Sequence, residues 1–300
     1  MQKGEEAASG GEAEGGVPWS VLSPSTQTVP LVFASPHSGR TYPPAFIAQS
    51  RLDPLALRRS EDAFIDEIFA AAVACGAPLL RAHFPRVYVD PNREAFELDA
   101  TMFDGPLPDY VNTASPRVAA GLGTVARVVT NGEEVYRERL AFHHVRQRIQ
   151  DLYFPYHAAL RSLLTETQAK FGVCLLIDCH SMPSVGGPMD SDRGRRRVDF
   201  VLGDRFGTSC APEIIVAAEA EVKRLGYSVQ RNLPYAGGYT TAHYGEPRQG
   251  VHALQIEVNR ALYMDEDTVT RTPGFERTGR DVGRLIGRLA RLDFDALRAA

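Results

Sequence analysis

The sequence predicts an α/β protein whose mostly parallel sheet is covered by helices. Short apolar runs that suit buried strands recur along the chain, at residues 29–35, 173–178 and 252–258 among others. Stretches with the 3.6-residue spacing of an amphipathic helix lie between them. Strands that alternate with helices bury both faces of a sheet, which is the arrangement of parallel α/β folds. The chain has 300 residues, of which 44% are hydrophobic and 23% charged. One domain with a sizeable core fits that composition.

Residues 1–16 are rich in Gly, Glu and Ala and contain no apolar stretch. They are expected to be a disordered tail and not a secretory signal. Residues 17–300 show neither an internal repeat nor a linker and are expected to form a single domain. Residues 29–35 read as a strand that runs into Pro36-His37-Ser38-Gly39. Over residues 52–75, Leu55, Ile65, Ile68, Phe69 and Ala72 share one helical face, with Glu61, Asp62, Asp66 and Glu67 between them, and Gly76 is placed to stop the helix. Residues 77–82 and 87–90 read as short strands, and residues 101–130 as loop. Residues 134–171 read as a long helix interrupted at Pro155. Residues 173–178 form the next strand, and 184–197 a loop rich in Gly, Pro and Arg. A strand at 198–202 precedes an amphipathic helix at 212–225 that stops at Gly226. Strands at 227–231 and 252–258 and one or two helices at 273–300 complete the chain.

The net charge is −4 and no long basic stretch dominates, which argues against nucleic acid as the partner. No apolar run approaches the roughly 20 residues of a membrane span. Cys75, Cys174, Cys179 and Cys210 show no C-x-x-C spacing. Reduced thiols in a cytoplasmic protein are expected. The chain lacks a G-x-S-x-G elbow, a phosphate-binding loop and a dinucleotide fingerprint.

The chemistry concentrates at the ends of two strands. His37 follows one apolar run, and Asp178 and His180 follow another. Ligands bind at the carboxyl ends of strands in open α/β sheets. A hydrolytic zinc site takes about three protein ligands and keeps one position open for water. His37 and His180 are candidates, with either Glu61 or Asp62 as the third. Asp178, two residues before His180, is placed to hydrogen-bond the free nitrogen of a ligating imidazole. In the alternating segment 252–259, Leu254, Ile256 and Val258 share one face, which leaves Glu257 with Gln255 and Ala253 on the other. Such a carboxylate can act as general base. Arg93, in Asp90-Pro91-Asn92-Arg93, can grip a carboxylate at two points or polarise a carbonyl. The paired glycines of segment 237–245 allow close approach to a ligand, and His243 is a candidate substrate donor. A thiol nucleophile at Cys179 is disfavoured, because alternation points it away from His180. His83, His143, His144, His157 and His252 are read as structural.

The ordered series Ser35-Pro36-His37-Ser38-Gly39, Asp90-Pro91-Asn92-Arg93, Ile177-Asp178-Cys179-His180-Ser181, residues 237–245 and Gly250-Val251-His252-Ala253-Leu254-Gln255-Ile256-Glu257 resembles the N-formylglutamate amidohydrolase family. The resemblance runs from residue 29 to about residue 288. It implies a three-layer α/β/α fold similar to zinc carboxypeptidases. It also implies one Zn²⁺ held by His37, Asp62 and His180, with Glu257 as general base. Arg93, Asn92, Gly238, His243 and Tyr244 would bind substrate. The implied reaction is hydrolysis of a small N-acyl amino acid, N-formyl-L-glutamate to formate and glutamate, in histidine breakdown. One departure bears on the substrate: family members tend to carry a basic, polar run before the paired glycines, where this chain has Asn232-Leu233-Pro234-Tyr235-Ala236. A metallopeptidase-like amidase acting on a peptide or cell-wall amide is the alternative enzyme. A protein that binds an amino-acid derivative without turning it over is the non-enzyme alternative.

Overall fold

The apolar runs become seven strands: β1 (Trp19–Leu22), β2 (Leu31–Ser35), β3 (Leu79–Ala82), β4 (Cys174–Met182), β5 (Phe200–Gly203), β6 (Val229–Arg231) and β7 (Val251–Asn259). The computed structural model describes residues 17–129, 131–188 and 190–299. The tail expected at residues 1–16 therefore lies outside the described residues. The strands form one sheet in the order β1-β3-β2-β4-β7-β5-β6. Strands β3, β2, β4 and β7 run parallel. β1 pairs antiparallel with β3, β5 antiparallel with β7, and β6 parallel with β5.

Every residue of β2 and β4 is buried, which is why these strands read as continuous apolar runs and not as alternating ones. On one face Phe33, Ile177, Leu254 and Ile256 pack with Ile214, Ile215, Leu285 and Ile286, from helices Pro212–Arg224 and Gly274–Leu289. On the other face Val32, Ala34, Leu176 and Ala253 pack with Val145, Tyr156 and Leu160, from helices Phe142–Arg148 and Phe154–Phe171. The result is a three-layer α/β/α fold with a core on each side of the sheet. Among the described residues, no helix is long and apolar enough to cross a membrane.

Four expected elements differ from those observed. Residues 52–75 form three short helices, Pro54–Arg58, Ile65–Ile68 and Ala71–Ala74, and not one long helix. The chain breaks where Asp62 donates its N–H to the His37 carbonyl at 3.0 Å, and Phe64 takes a left-handed φ of 67°. Residues 87–90 form no strand: Tyr88 and Val89 fold back onto the Pro85 carbonyl, while Val87 and Val89 fill the core. The long helix starts only at Phe142 and passes through a π-helical turn at Ile149–Tyr153. Pro155 has no N–H and its ring crowds the carbonyl four residues earlier, so the turn before it widens. Strand β4 continues beyond Asp178 to Met182, because β7 pairs with it along its whole length.

Candidate active site

The sheet assembles the site by register. On β4, Asp178 and His180 project to one face and Cys179 to the other. On the adjacent β7, Gln255 lies opposite Asp178, and Glu257 opposite His180. Parallel pairing thus places four polar side chains side by side in the carboxyl half of the sheet. His37 enters from the turn after β2, which the hydrogen-bonded hydroxyls of Ser35 and Ser38 close. Gly39 is required in this turn: a Cβ there would lie 2.0 Å from the Phe84 carbonyl oxygen. Asp62 is delivered by the break in residues 52–75.

Asp62 Oδ2 lies 3.2 Å from His37 Nδ1 and 3.0 Å from His180 Nδ1. One ligand atom from each of the three residues falls within 4.8 Å of the others, and all three are buried. The outer ring nitrogens have their own carboxylates. His37 Nε2 donates to Asp90 Oδ1 at 2.7 Å, and His180 Nε2 faces Asp178 Oδ2 at 3.0 Å. A ring that gives its Nε2 proton to its outer carboxylate turns its Nδ1 lone pair toward Asp62 Oδ2. Lone pairs and a carboxylate oxygen facing one another attract a cation. Two imidazole nitrogens and one carboxylate oxygen also match the donor set of a catalytic divalent metal site. Ser181 Oγ and Arg260 Nη2 each donate to Asp62 Oδ1 at 3.1 Å, which leaves Oδ2 for the cluster. A proton on Nδ1 can take the place of such a cation: burial raises the Asp62 pKa, but hydrogen bonds from His180 and His37 protonated at Nδ1 outweigh it and hold the carboxyl well below its usual range. Burial lowers the His180 pKa, but Asp178 and then Asp62 outweigh it and hold the imidazole well above its ordinary value. The second oxygen of Asp178, Oδ1, is buried without a hydrogen-bond partner.

Around this cluster lies a cleft of about 340 Å³ whose lining includes His37, Asp62, His180 and Glu257. Gln255 Nε2 donates to Glu257 Oε1 at 2.8 Å, and Gln255 Oε1 accepts the Gly238 N–H at 2.8 Å. One carboxylate oxygen of Glu257 is thereby fixed. Burial pushes Glu257 up to about 8; His180 opposes the rise and Asp62 adds to it. Arg93 anchors its guanidinium on the Leu122 and Asn92 carbonyls, both at 2.8 Å, with Nη2 3.8 Å from Asp90. Asn92 accepts the Thr240 N–H at 2.8 Å. A Cβ on Gly238 would meet the Asn92 amide at 2.4 Å, so glycine permits that approach.

His37, Asp62, His180, Glu257, Asn92, Arg93 and Gly238 therefore meet around one cleft, with Asp178 buried behind His180. Glu61 does not join them; it accepts the Tyr42 hydroxyl at 2.7 Å and the Arg58 guanidinium at 3.1 Å. His243 and Tyr244, expected to contact substrate, stand on the helix Tyr239–Tyr244 and do not line the cleft. Each helical residue rotates by about 100°, which turns Thr240 and Thr241 inward and leaves His243 exposed, its ring stacked 4.9 Å from Tyr239. The Tyr244 hydroxyl bonds His157 Nδ1 at 2.8 Å, away from the cleft. Cys179 is buried in the opposite core, burial pushes its thiol pKa well up, and all four cysteines are free. Sequence reasoning missed Asp90, Arg86, Gln255 and Arg260. Gln255 was available from strand alternation with Glu257. Asp90 shares a tetrapeptide with Arg93. Nothing in the sequence marked Arg86, which donates to Asp90 Oδ2 at 2.7 Å.

The mostly parallel α/β sheet thus gathers two imidazoles, a shared carboxylate and a further buried carboxylate at one cleft, a donor set compatible with a divalent metal ion. A family model of N-formylglutamate amidohydrolase matches residues 29–264. The chain is 34% identical over 250 residues to N-formylglutamate deformylase of Pseudomonas aeruginosa, covering 82% of this chain and 86% of that protein. The N-formylglutamate deformylase of Pseudomonas putida is 29% identical over 254 residues, covering 82% and 86%. The crystal structure of N-formylglutamate amidohydrolase from Ralstonia eutropha JMP134 superposes with a TM-score of 0.82 at 36% identity, covering 91% of this chain and 97% of that one. The chain belongs to the N-formylglutamate amidohydrolase family, and is with it a hydrolase of amide C–N bonds.

Proposed function

We propose that this protein is a zinc-dependent N-formylglutamate deformylase of the cytoplasm, which hydrolyses N-formyl-L-glutamate to formate and L-glutamate in histidine breakdown. The observation that carries the reading is the convergence of His37, Asp62 and His180 beside Glu257 in a chain of this family. His37 Nδ1, His180 Nδ1 and Asp62 Oδ2 would hold the zinc ion. When bound, zinc supplies Lewis-acid polarisation of the formyl carbonyl and acidifies water.

The remaining steps fall to side chains of the chain itself. Glu257 has Oε1 engaged by Gln255, so Oε2 takes the proton of the attacking water and returns it to the departing amide nitrogen. Burial raises the pKa of this carboxyl, which makes its ionised form a stronger base. Asp90 and Asp178 hold the two imidazoles in the required tautomer. Arg93 grips a substrate carboxylate, with Asn92 and Gly238 shaping the adjacent wall. A cleft of about 340 Å³ suits a small amino-acid derivative and not an extended peptide.

The test is formate release from N-formyl-L-glutamate by the purified protein, run beside amine release from short peptides. Formate release that ends with a chelator and returns with Zn²⁺ is the expected result. Turnover of peptides without formate release, or formate release that resists the chelator, would overturn the reading.

A further inference from the structure

Four guanidiniums line the cleft: Arg86, Arg93, Arg117 and Arg260. Two of them are committed. Arg86 donates to Asp90 at 2.7 Å, and Arg260 donates to Asp62 at 3.1 Å. The other two are not within hydrogen-bond distance of any carboxylate among the described residues. Arg93 Nη2 lies 3.8 Å from Asp90, and Arg117 Nη1 lies 3.8 Å from Glu97. Both belong to one corner of the cleft, because Arg93 donates to the Leu122 carbonyl at 2.8 Å, and Leu122 donates its N–H to the Arg117 carbonyl at 2.8 Å.

Like charges held near each other around a cleft raise each other's energy. Burial pushes Arg93 down to about 10; Asp90 opposes this, and the like charges of Arg86 and Arg117 add to it. A ligand anion relieves that repulsion. Meanwhile the segment where relatives tend to be basic contributes Pro234, Tyr235 and Ala236 to the lining, none of them a cation. A dicarboxylate needs two cations, and Arg93 and Arg117, each held only by a long ion pair of 3.8 Å, can supply them. Small apolar side chains at Leu122, Ala126 and Val129 share the lining with them and suit the methylenes of a glutamyl side chain.

Resting on the deformylase reading above, we propose that Arg117 is the residue that reads the side-chain carboxylate of the substrate, while Arg93 grips the α-carboxylate. Specificity for an acidic over a neutral N-formyl amino acid then lies in one guanidinium on the segment of residues 115–129. It does not lie in the residues before the paired glycines. Replacing a charge-assisted hydrogen bond costs about 10- to 100-fold in affinity.

The experiment compares N-formylglutamate with N-formylglutamine on wild type, Arg117→Gln and Arg117→Lys. Arg117 is 37% exposed, so neither change opens a core, and thermal melts check the fold. The expected result is a KM for N-formylglutamate raised about 10- to 100-fold in Arg117→Gln with kcat little changed. Turnover of N-formylglutamine should be unaffected, and Arg117→Lys should recover part of the loss. Equal losses on both substrates, or no loss on either, would overturn the assignment. Formate release from neither substrate by wild type would refute the deformylase reading itself. In that event calorimetric binding of glutarate to wild type and Arg117→Gln decides the assignment: weaker binding by the variant upholds it, and equal binding overturns it.

Discussion

At His37 and His180 the outer nitrogen governs what the inner one can do. Because Asp90 Oδ1 sits 2.7 Å from His37 Nε2, Asp90→Asn should weaken metal retention by about 10- to 100-fold, read by competition against a chromogenic chelator; unchanged retention would remove Asp90 from the centre. Glu257→Gln should lower kcat by about 10²- to 10⁴-fold while metal content stays that of the wild type, and a variant with wild-type turnover would disprove a proton-transfer role. His157 offers a test of stability that is separate from catalysis. Burial, opposed by its bond to the Pro91 carbonyl, pushes its pKa from the ordinary 6.5 down to about 4. The folded chain therefore prefers the neutral ring, and its contribution is complete above pH 6.5 and is lost as the pH falls toward 4. The loss amounts to about 3 kcal/mol. His157→Gln should flatten that acid limb in urea unfolding measured at several pH values; an identical limb would show that other groups produce it.

Among the elements, the central strands were the most legible. Leu31–Ser35, Cys174–Met182 and Val251–Asn259 are apolar or alternating over enough residues to leave little choice. Ile177 has no exposed surface in the core between β4 and its covering helices, so Ile177→Ala should cost about 2–5 kcal/mol in chemical unfolding. A loss below about 1 kcal/mol would mean that the sheet relaxes around the cavity. The turn after β2 is subject to a different constraint. Gly39→Ala would drive a Cβ to 2.0 Å from a backbone oxygen, displacing the turn that carries His37. Both melting temperature and metal retention should fall together, since one turn serves both. Residues 52–75 depart from a single helix for a physical reason: their apolar spacing is helical, but Asp62 must leave the helix to meet two imidazoles. Tertiary demand at a site overrides local propensity.

For the whole molecule, the metal and the fold are coupled if three elements share one cation. Chelation should lower the melting temperature as well as abolish formate release, and Zn²⁺ should restore both, because a ligand that binds only the folded state stabilises it by mass action. A melting temperature unmoved by chelation would separate the ion from the fold. The sequence alone determined the covered α/β sheet, the placing of the two histidines toward the carboxyl ends of strands and the face on which Glu257 stands, because these follow from periodicities of two and 3.6 that any local stretch of chain displays. Only the tertiary structure decided that Asp62 and not Glu61 reaches the imidazoles, that Asp90, Arg86 and Arg260 lock the cluster, and that His243 and Tyr244 turn away. The contacts of Asp62 depend on distances between residues tens to hundreds of positions apart, such as the 3.1 Å between Arg260 and Asp62, and no local pattern encodes such a distance.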